Sequence, residues 1–146
     1  MRVRPATAED LDTVIHHRIA MFRDMGYPDA VLTAIEQVSR PLLRDAIAGS
    51  DYHGVLAESD GDGIVGGGGV LVVAWPGTQP QRAWIQNVYV VPGFRRRGIA
   101  REIMRALIDW CRGRGFNSVN LHASTDGRPL YEQLGFEATN EMRLSL

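Results

Sequence analysis

The stretch from Trp84 to Arg112 constrains this chain more than any other part of it. Trp84 to Val91 is rich in β-branched and apolar residues and reads as a long strand, central in its sheet and mostly buried. Pro92-Gly93 ends it. Ile99, Ile103, Leu107 and Cys111 then recur at helical spacing, which predicts a helix from about Gly98 to Arg112, stopped by Gly113 and Gly115. The two are joined by the short turn Arg95-Arg96-Arg97-Gly98-Ile99-Ala100. A helix N-terminus carries unpaired N–H groups and the positive end of a dipole, so it is built to hold an anion. Gly98 lets the backbone approach a bulky phosphate and Ala100 keeps the following position small. The arginines add charge, some to reach phosphate oxygens and others only to be solvated. A diphosphate would sit well there.

The rest of the chain supplies layers around that segment. Met1 to Pro5 alternates apolar and basic residues and predicts a first strand. Thr7-Ala8-Glu9-Asp10 resembles a capping box, and Leu11, Val14, Ile15, Ile19 and Phe22 continue as a helix that ends near Gly26. Pro28 to Val38 and Pro41 to Ala48 read as two further short helices. His53 to Glu58 and Ile64 to Ala74 are strands flanking the turn Asp60-Gly61-Asp62-Gly63. After the long helix, Ser118 to Ala123 predicts a strand, Arg128 to Leu134 a short helix capped by Gly135, and the tail through Met142 and Leu144 a last strand. The order implies a mixed α/β sandwich with one core and a single domain over residues 1–146.

Composition narrows the chemistry. All 16 basic residues are arginine, seven of them between Arg95 and Arg114, so neither a Schiff-base lysine nor a Walker-type phosphate loop is available. A net charge of −1 offers no basic field for nucleic acid. No apolar run is long enough to span a membrane and the N-terminus lacks a signal-like stretch, which predicts a cytoplasmic protein without a membrane partner. Cys111 is the only cysteine and falls in a helical apolar pattern, where a core thiol is the ordinary expectation. Gly66-Gly67-Gly68-Gly69 lies inside a strand pattern, so it reads as a bulge or a close backbone approach rather than a phosphate loop. His16 and His17 are adjacent on a helix and point apart, a poor metal pair.

Arg95-x-x-Gly98-x-Ala100 resembles the (Gln/Arg)-x-x-Gly-x-(Gly/Ala) motif of the GNAT superfamily of N-acetyltransferases. Val88-Tyr89-Val90-Val91-Pro92 is similar to that family's fourth strand, and Leu130-Tyr131-Glu132-Gln133-Leu134-Gly135-Phe136 to its second signature. The resemblance implies an acyl-CoA N-acyltransferase fold, a central, mostly antiparallel sheet with helices on both faces. It implies further that main-chain amides from Arg96 through Gly98, Ile99 and Ala100 to Arg101 wrap the coenzyme A pyrophosphate, with Arg95 and Arg97 alongside. The backbone of Tyr89, Val90 and Val91 would hydrogen-bond the pantetheine like an added strand, and a bulge would aim one amide, that of Val90, at the thioester carbonyl. Tyr131 matches the tyrosine that donates a proton to the departing thiolate. The family often has Asn where this chain has Ser124, whose shorter hydroxyl would have to replace that pantetheine contact.

The activity so implied is direct transfer of an acetyl group from acetyl-CoA to the primary amine of a small molecule or peptide, with no metal and no covalent intermediate. Its rival is a non-catalytic module that binds acyl-CoA and regulates a partner. The resemblance leaves room for a homodimer. It also implies an acceptor pocket lined by Phe22, Met25, Tyr27, Trp84 and Asn87, although Phe22 fits a core stripe equally well. No side chain stands out as the base that deprotonates the amine. Glu58, His53, His122 and Glu141 qualify only through water, and a structural role is the ordinary expectation for each.

Overall fold

The computed structural model describes residues 1–146. β1 (Arg2–Pro5) leads through a 3-10 turn (Ala8–Asp10) into α1 (Leu11–Asp24) and α2 (Asp29–Ala48). β2 (Tyr52–Ser59), β3 (Gly63–Ala74) and β4 (Gln81–Val90) follow, then α3 (Ile99–Gly113), β5 (Asn120–Leu121) and α4 (Arg128–Gln133). One five-stranded sheet runs in the order β1-β2-β3-β4-β5, antiparallel throughout except for the parallel β4–β5 pair.

Local chemistry accounts for most boundaries. The Thr7 N–H donates to Asp10 Oδ2 at 2.8 Å and the Asp10 N–H to the Thr7 carbonyl at 2.9 Å, so aspartate closes the capping turn that starts the first helical segment. Gly61 and Gly63 turn the β2–β3 hairpin with φ of +84° and +76°. Gly135, at φ +97°, ends α4 while the Phe136 N–H returns to the Tyr131 carbonyl at 3.0 Å.

Helices cover both faces of the sheet. Beneath α3 lies a buried cluster of 13 residues that includes Val55, Val70, Ile85, Ile103 and Leu107. On the opposite face α1 and α2 close a cluster of four, Val14, Ile15, Leu43 and Tyr52. The single core expected from the sequence is therefore two, split by the sheet. The glycine run of β3 is what lets helices approach from both sides: a Cβ on Gly68 would stand 2.9 Å from Ile103 Cγ2, and one on Gly67 3.1 Å from His17 Nδ1.

Four other expectations need correction. Pro41 does not divide two helices but lies within α2, because Leu32, Ser39 and Leu43 bury one continuous stripe; just before the proline, Arg40 pairs with Glu36 of the same helix at 3.2 Å and with Asp12 of α1 at 2.5 Å. β4 is fourth of five strands rather than central, and its burial alternates, since β5 covers it only at Trp84 and Ile85. The strand expected over Ser118 to Ala123 is reduced to Asn120–Leu121, where it diverges from β4. So short an edge offers no ladder for another strand, and the tail stays irregular with Met142 and Leu144 at 93% and 82% exposure. No helix is long and apolar enough to cross a membrane.

Candidate active site

α3 begins directly after Gly98, whose φ of +78° is left-handed, and Arg96 is left-handed as well at +61°. Turns of this kind gather successive amides into an anion-binding concavity. None of the main-chain N–H groups from Arg96 to Arg101 donates to another atom of the protein; the first that does is Glu102, to the Gly98 carbonyl at 3.1 Å. A Cβ at Gly98 would meet nothing within 4 Å, so the backbone angle rather than crowding calls for glycine there. The neighbouring arginines divide their work. Arg95 is bound into the protein: Nε donates to the Val90 carbonyl at 2.8 Å, Nη2 to Asp24 Oδ2 at 2.6 Å, and the guanidinium lies 5.5 Å from the Tyr89 ring centre. Arg97 lies 5.2 Å over Phe94, Arg101 donates to Gln133 Oε1, and Arg96 is exposed.

β4 carries a bulge just before its end. Gly67 faces Tyr89 while Gly69 faces Gln86, so β4 holds one residue more than β3 between those pairs. Asn87 absorbs the distortion at φ +66°, a conformation asparagine tolerates better than other side chains. Its Nδ2 donates to the Val14 carbonyl of α1 at 3.0 Å, and it is only 3% exposed. Asn87 therefore pins the bulge to α1 and does not line an open pocket, a correction to its sequence-based place. Beyond the bulge the Val91 N–H donates to Val65 on β3 at 2.9 Å. The preceding residue must then present its N–H and carbonyl to the other edge, and Arg95 takes that carbonyl. The Val90 N–H thus faces an edge that β5 leaves uncovered.

The hydrogen bond from Arg101 to Gln133 sets α4 alongside the first turn of α3. Tyr131 packs with Leu130 and Leu134 against the larger cluster, its ring 6.1 Å from Phe136 and folded over Gly127. Burial raises the pKa of its phenol, so it keeps its proton at neutral pH, and the hydroxyl has no protein partner. Ser124 Oγ accepts the Gly127 N–H at 3.1 Å and so serves the turn into α4.

Of the other groups of interest, the aromatic residues Phe22, Tyr27 and Trp84 lie on the α1–α2 side, whereas His53 and Cys111 lie on the α3 side. Phe22 and Tyr27 meet edge to face at 5.2 Å, Met25 is exposed beside them, and Trp84 stacks on His122 at 5.0 Å. His122 in turn contacts Glu141 at 3.1 Å. Glu58 is held by Arg2 and Arg4 at 2.7 and 2.6 Å on the β1–β2 edge, where those arginines keep its carboxyl below the usual range. His53 stacks on Trp110 at 4.5 Å, at the far end of α3 from the turn. Burial lifts the Cys111 thiol to about 11, which leaves it inert. A concavity of about 620 Å³ is walled by Ala74 to Pro80, at the opposite end of β4 from the turn.

Arg18 escaped the sequence reading. It lies half-buried on α1, Nε donating to Ser39 Oγ of α2 and Nη1 to Gln86 Oε1 of β4, both at 3.0 Å, with its guanidinium 5.2 Å from the Phe22 ring centre. The signal was present: a charge inside the apolar spacing Val14, Arg18, Phe22.

The sequence profile of the Acetyltransferase (GNAT) family matches residues 16–136. The chain belongs to this family. A GCN5-related N-acetyltransferase from Ralstonia eutropha JMP134 superposes with a TM-score of 0.94 at 34% identity, over 99% of this chain and 97% of that one. A predicted acetyltransferase from Clostridium acetobutylicum, solved with acetyl-CoA, shares the fold with a TM-score of 0.88 at 24% identity, over 99% and 94% of the two chains. Human N-acetyltransferase 8 is 30% identical over 89 residues, 59% of this chain. This GNAT chain spans only 39% of that relative's length. The α3 turn and α4 described above both lie within the matched span.

Proposed function

We propose that residues 1–146 act as one N-acetyltransferase domain that moves an acetyl group from acetyl-CoA to a primary amine of a small molecule or peptide, with both substrates bound together. One observation carries the reading: the unpartnered amides from Arg96 to Arg101 open beside a strand edge that β5 leaves free. Donors at a helix start suit a pyrophosphate, and an amide-bearing pantetheine suits an edge with unsatisfied backbone groups. The acetyl-CoA complex of the Clostridium fold neighbour supports the same cosubstrate.

On this reading the amine loses a proton to water before it attacks, because an ammonium nitrogen has no free pair. To the exposed His122–Glu141 pair, beside Trp84, we assign the relay of that proton through water. As the nitrogen bonds to the thioester carbon, the carbonyl oxygen gains charge and the Val90 N–H stabilises it. Collapse breaks the carbon–sulfur bond, the thiolate takes the Tyr131 phenolic proton, and the second proton of the attacking nitrogen leaves through water, while solvent reprotonates Tyr131. A phenol of pKa ~10 facing a thiol of ~8.5 transfers that proton uphill, so hydrogen bonding to the sulfur is a large part of its contribution. Every step uses groups other than Cys111, whose thiol is buried.

The test is release of coenzyme A thiol from acetyl-CoA across a panel of primary amines, beside calorimetry with acetyl-CoA alone. Binding plus amine-dependent release is expected. Binding without release across a broad panel would instead favour a non-catalytic acyl-CoA module, and no heat with acetyl-CoA would remove both readings.

A further inference from the structure

Arg18 stands where three elements meet, and every partner it has is neutral. Ser39 Oγ and Gln86 Oε1 each accept one of its N–H groups at 3.0 Å, and no carboxylate lies within ion-pairing distance. A guanidinium has five N–H donors, so two are used to brace it and three are left. The bracing is firm, since Ser39 is 6% exposed and the guanidinium also rests over Phe22. Burial without a counter-charge is costly for a cation that cannot shed its proton, and removal from water lowers its pKa. By contrast Arg4, Arg40 and Arg95, also set between elements, each hold an aspartate.

We propose that Arg18 is a specificity residue that binds an anionic oxygen group, carboxylate or phosphate, carried by the amine acceptor. This deepens the acetyltransferase reading and rests on it. Three features fix the class of substrate. The planar fork of guanidinium matches two oxygens of a carboxylate or phosphate. The aromatic rim of Phe22, Tyr27 and Trp84 suits an apolar spacer. Gln86, which steers the fork, lies four residues before Val90, about 13 Å at ~3.3 Å per residue and somewhat less through the bulge. The anion is therefore several bonds from the amine, as in a long amino acid, an amino-alkyl phosphate or an amino-sugar phosphate.

Matched acceptors separate charge from shape: aminohexanoate against its methyl ester, and aminohexyl phosphate against aminohexanol. The wild-type protein is expected to favour at least one anionic member over its neutral partner by tenfold or more in kcat/KM, mostly through KM, and the preferred pair tells carboxylate from phosphate. Arg18→Gln should bring that ratio close to one while the acetyl-CoA Kd stays within twofold and turnover of the neutral amine persists. Arg18→Lys, which keeps the charge but loses the fork, should restore part of the preference. A wild-type ratio near one, or a ratio that survives Arg18→Gln, overturns the assignment. Should acetyl-CoA bind yet no amine be turned over, the transferase reading fails separately. Calorimetry of the same acids on coenzyme A-loaded protein then decides the anion site: heat that Arg18→Gln abolishes upholds it, and no heat with wild type removes it.

Discussion

His17 is 2% exposed, its ring lies 5.2 Å from that of Tyr89, and its Nδ1 has no hydrogen-bond partner. Burial, with a smaller push from His16, lowers its pKa from the ordinary 6.5 to about 4. The unfolded chain therefore takes up this proton first as pH falls. Its effect on stability is nil above pH 6.5 and grows as the solution is acidified toward 4, reaching on the order of 3 kcal/mol. Urea unfolding at pH 7 and pH 4.5 should show that loss, and His17→Leu should remove most of the slope; equal slopes in the two proteins would rule His17 out as its source. Tyr131 makes a different prediction, about rate. Its hydroxyl holds no other residue in place, so Tyr131→Phe should leave the fold and the acetyl-CoA Kd unchanged and lower kcat at least tenfold in stopped-flow thiol release. An unchanged kcat would return Tyr131 to a packing role.

At the scale of the element, the strand–turn–helix unit was legible because its signals are local. Helical spacing from Ile99 to Cys111 and a glycine just before it define where donors are left unpaired, whatever packs around them. Other features depend on partners far along the chain. The β4 bulge needs Asn87 to reach Val14, and the continuity of α2 through Pro41 needs a face buried against its neighbours. Arg18 was readable only as an irregularity in the apolar face of α1, because its partners Ser39 and Gln86 come from two other elements. A substitution at the legible unit tests it directly. Gly98→Val places a β-branched side chain at φ +78°, costing roughly 1–2 kcal/mol of stability, and sets it where the amides open. Calorimetry should show at least a hundredfold loss of acetyl-CoA affinity with circular dichroism preserved, and near-normal affinity would mean the phosphates bind elsewhere.

At the scale of the whole molecule, the sheet divides the protein into layers of unequal strength. The face under α3 buries 13 residues, with Ile103, Met104 and Leu107 fully enclosed. The face under α1 and α2 buries a cluster of four and includes the unpartnered polar atoms of His17, Tyr52 and Asn87, while Val31, Val38 and Leu42 of α2 stay exposed. Buried apolar area sets how much free energy opposes local opening, and orphaned polar atoms subtract from it. α2 should therefore open well before the sheet does. In native-state hydrogen exchange followed by mass spectrometry, amides of α3 and of the middle of β3 are expected to exchange only through global unfolding. Those of α2 should exchange at least tenfold faster, through an opening that urea promotes less steeply than it promotes global unfolding. Acetyl-CoA should slow exchange from Arg96 to Arg101 and leave the α2 rate nearly unchanged, because the proposed cofactor contacts belong to the α3 side. The α1–α2 side, to which Arg18 and the amine acceptor are assigned, would then be the layer that yields most easily, which lets an amine enter without disturbing the carrier. Equal protection of α2 and α3 would show instead that the two layers unfold as one.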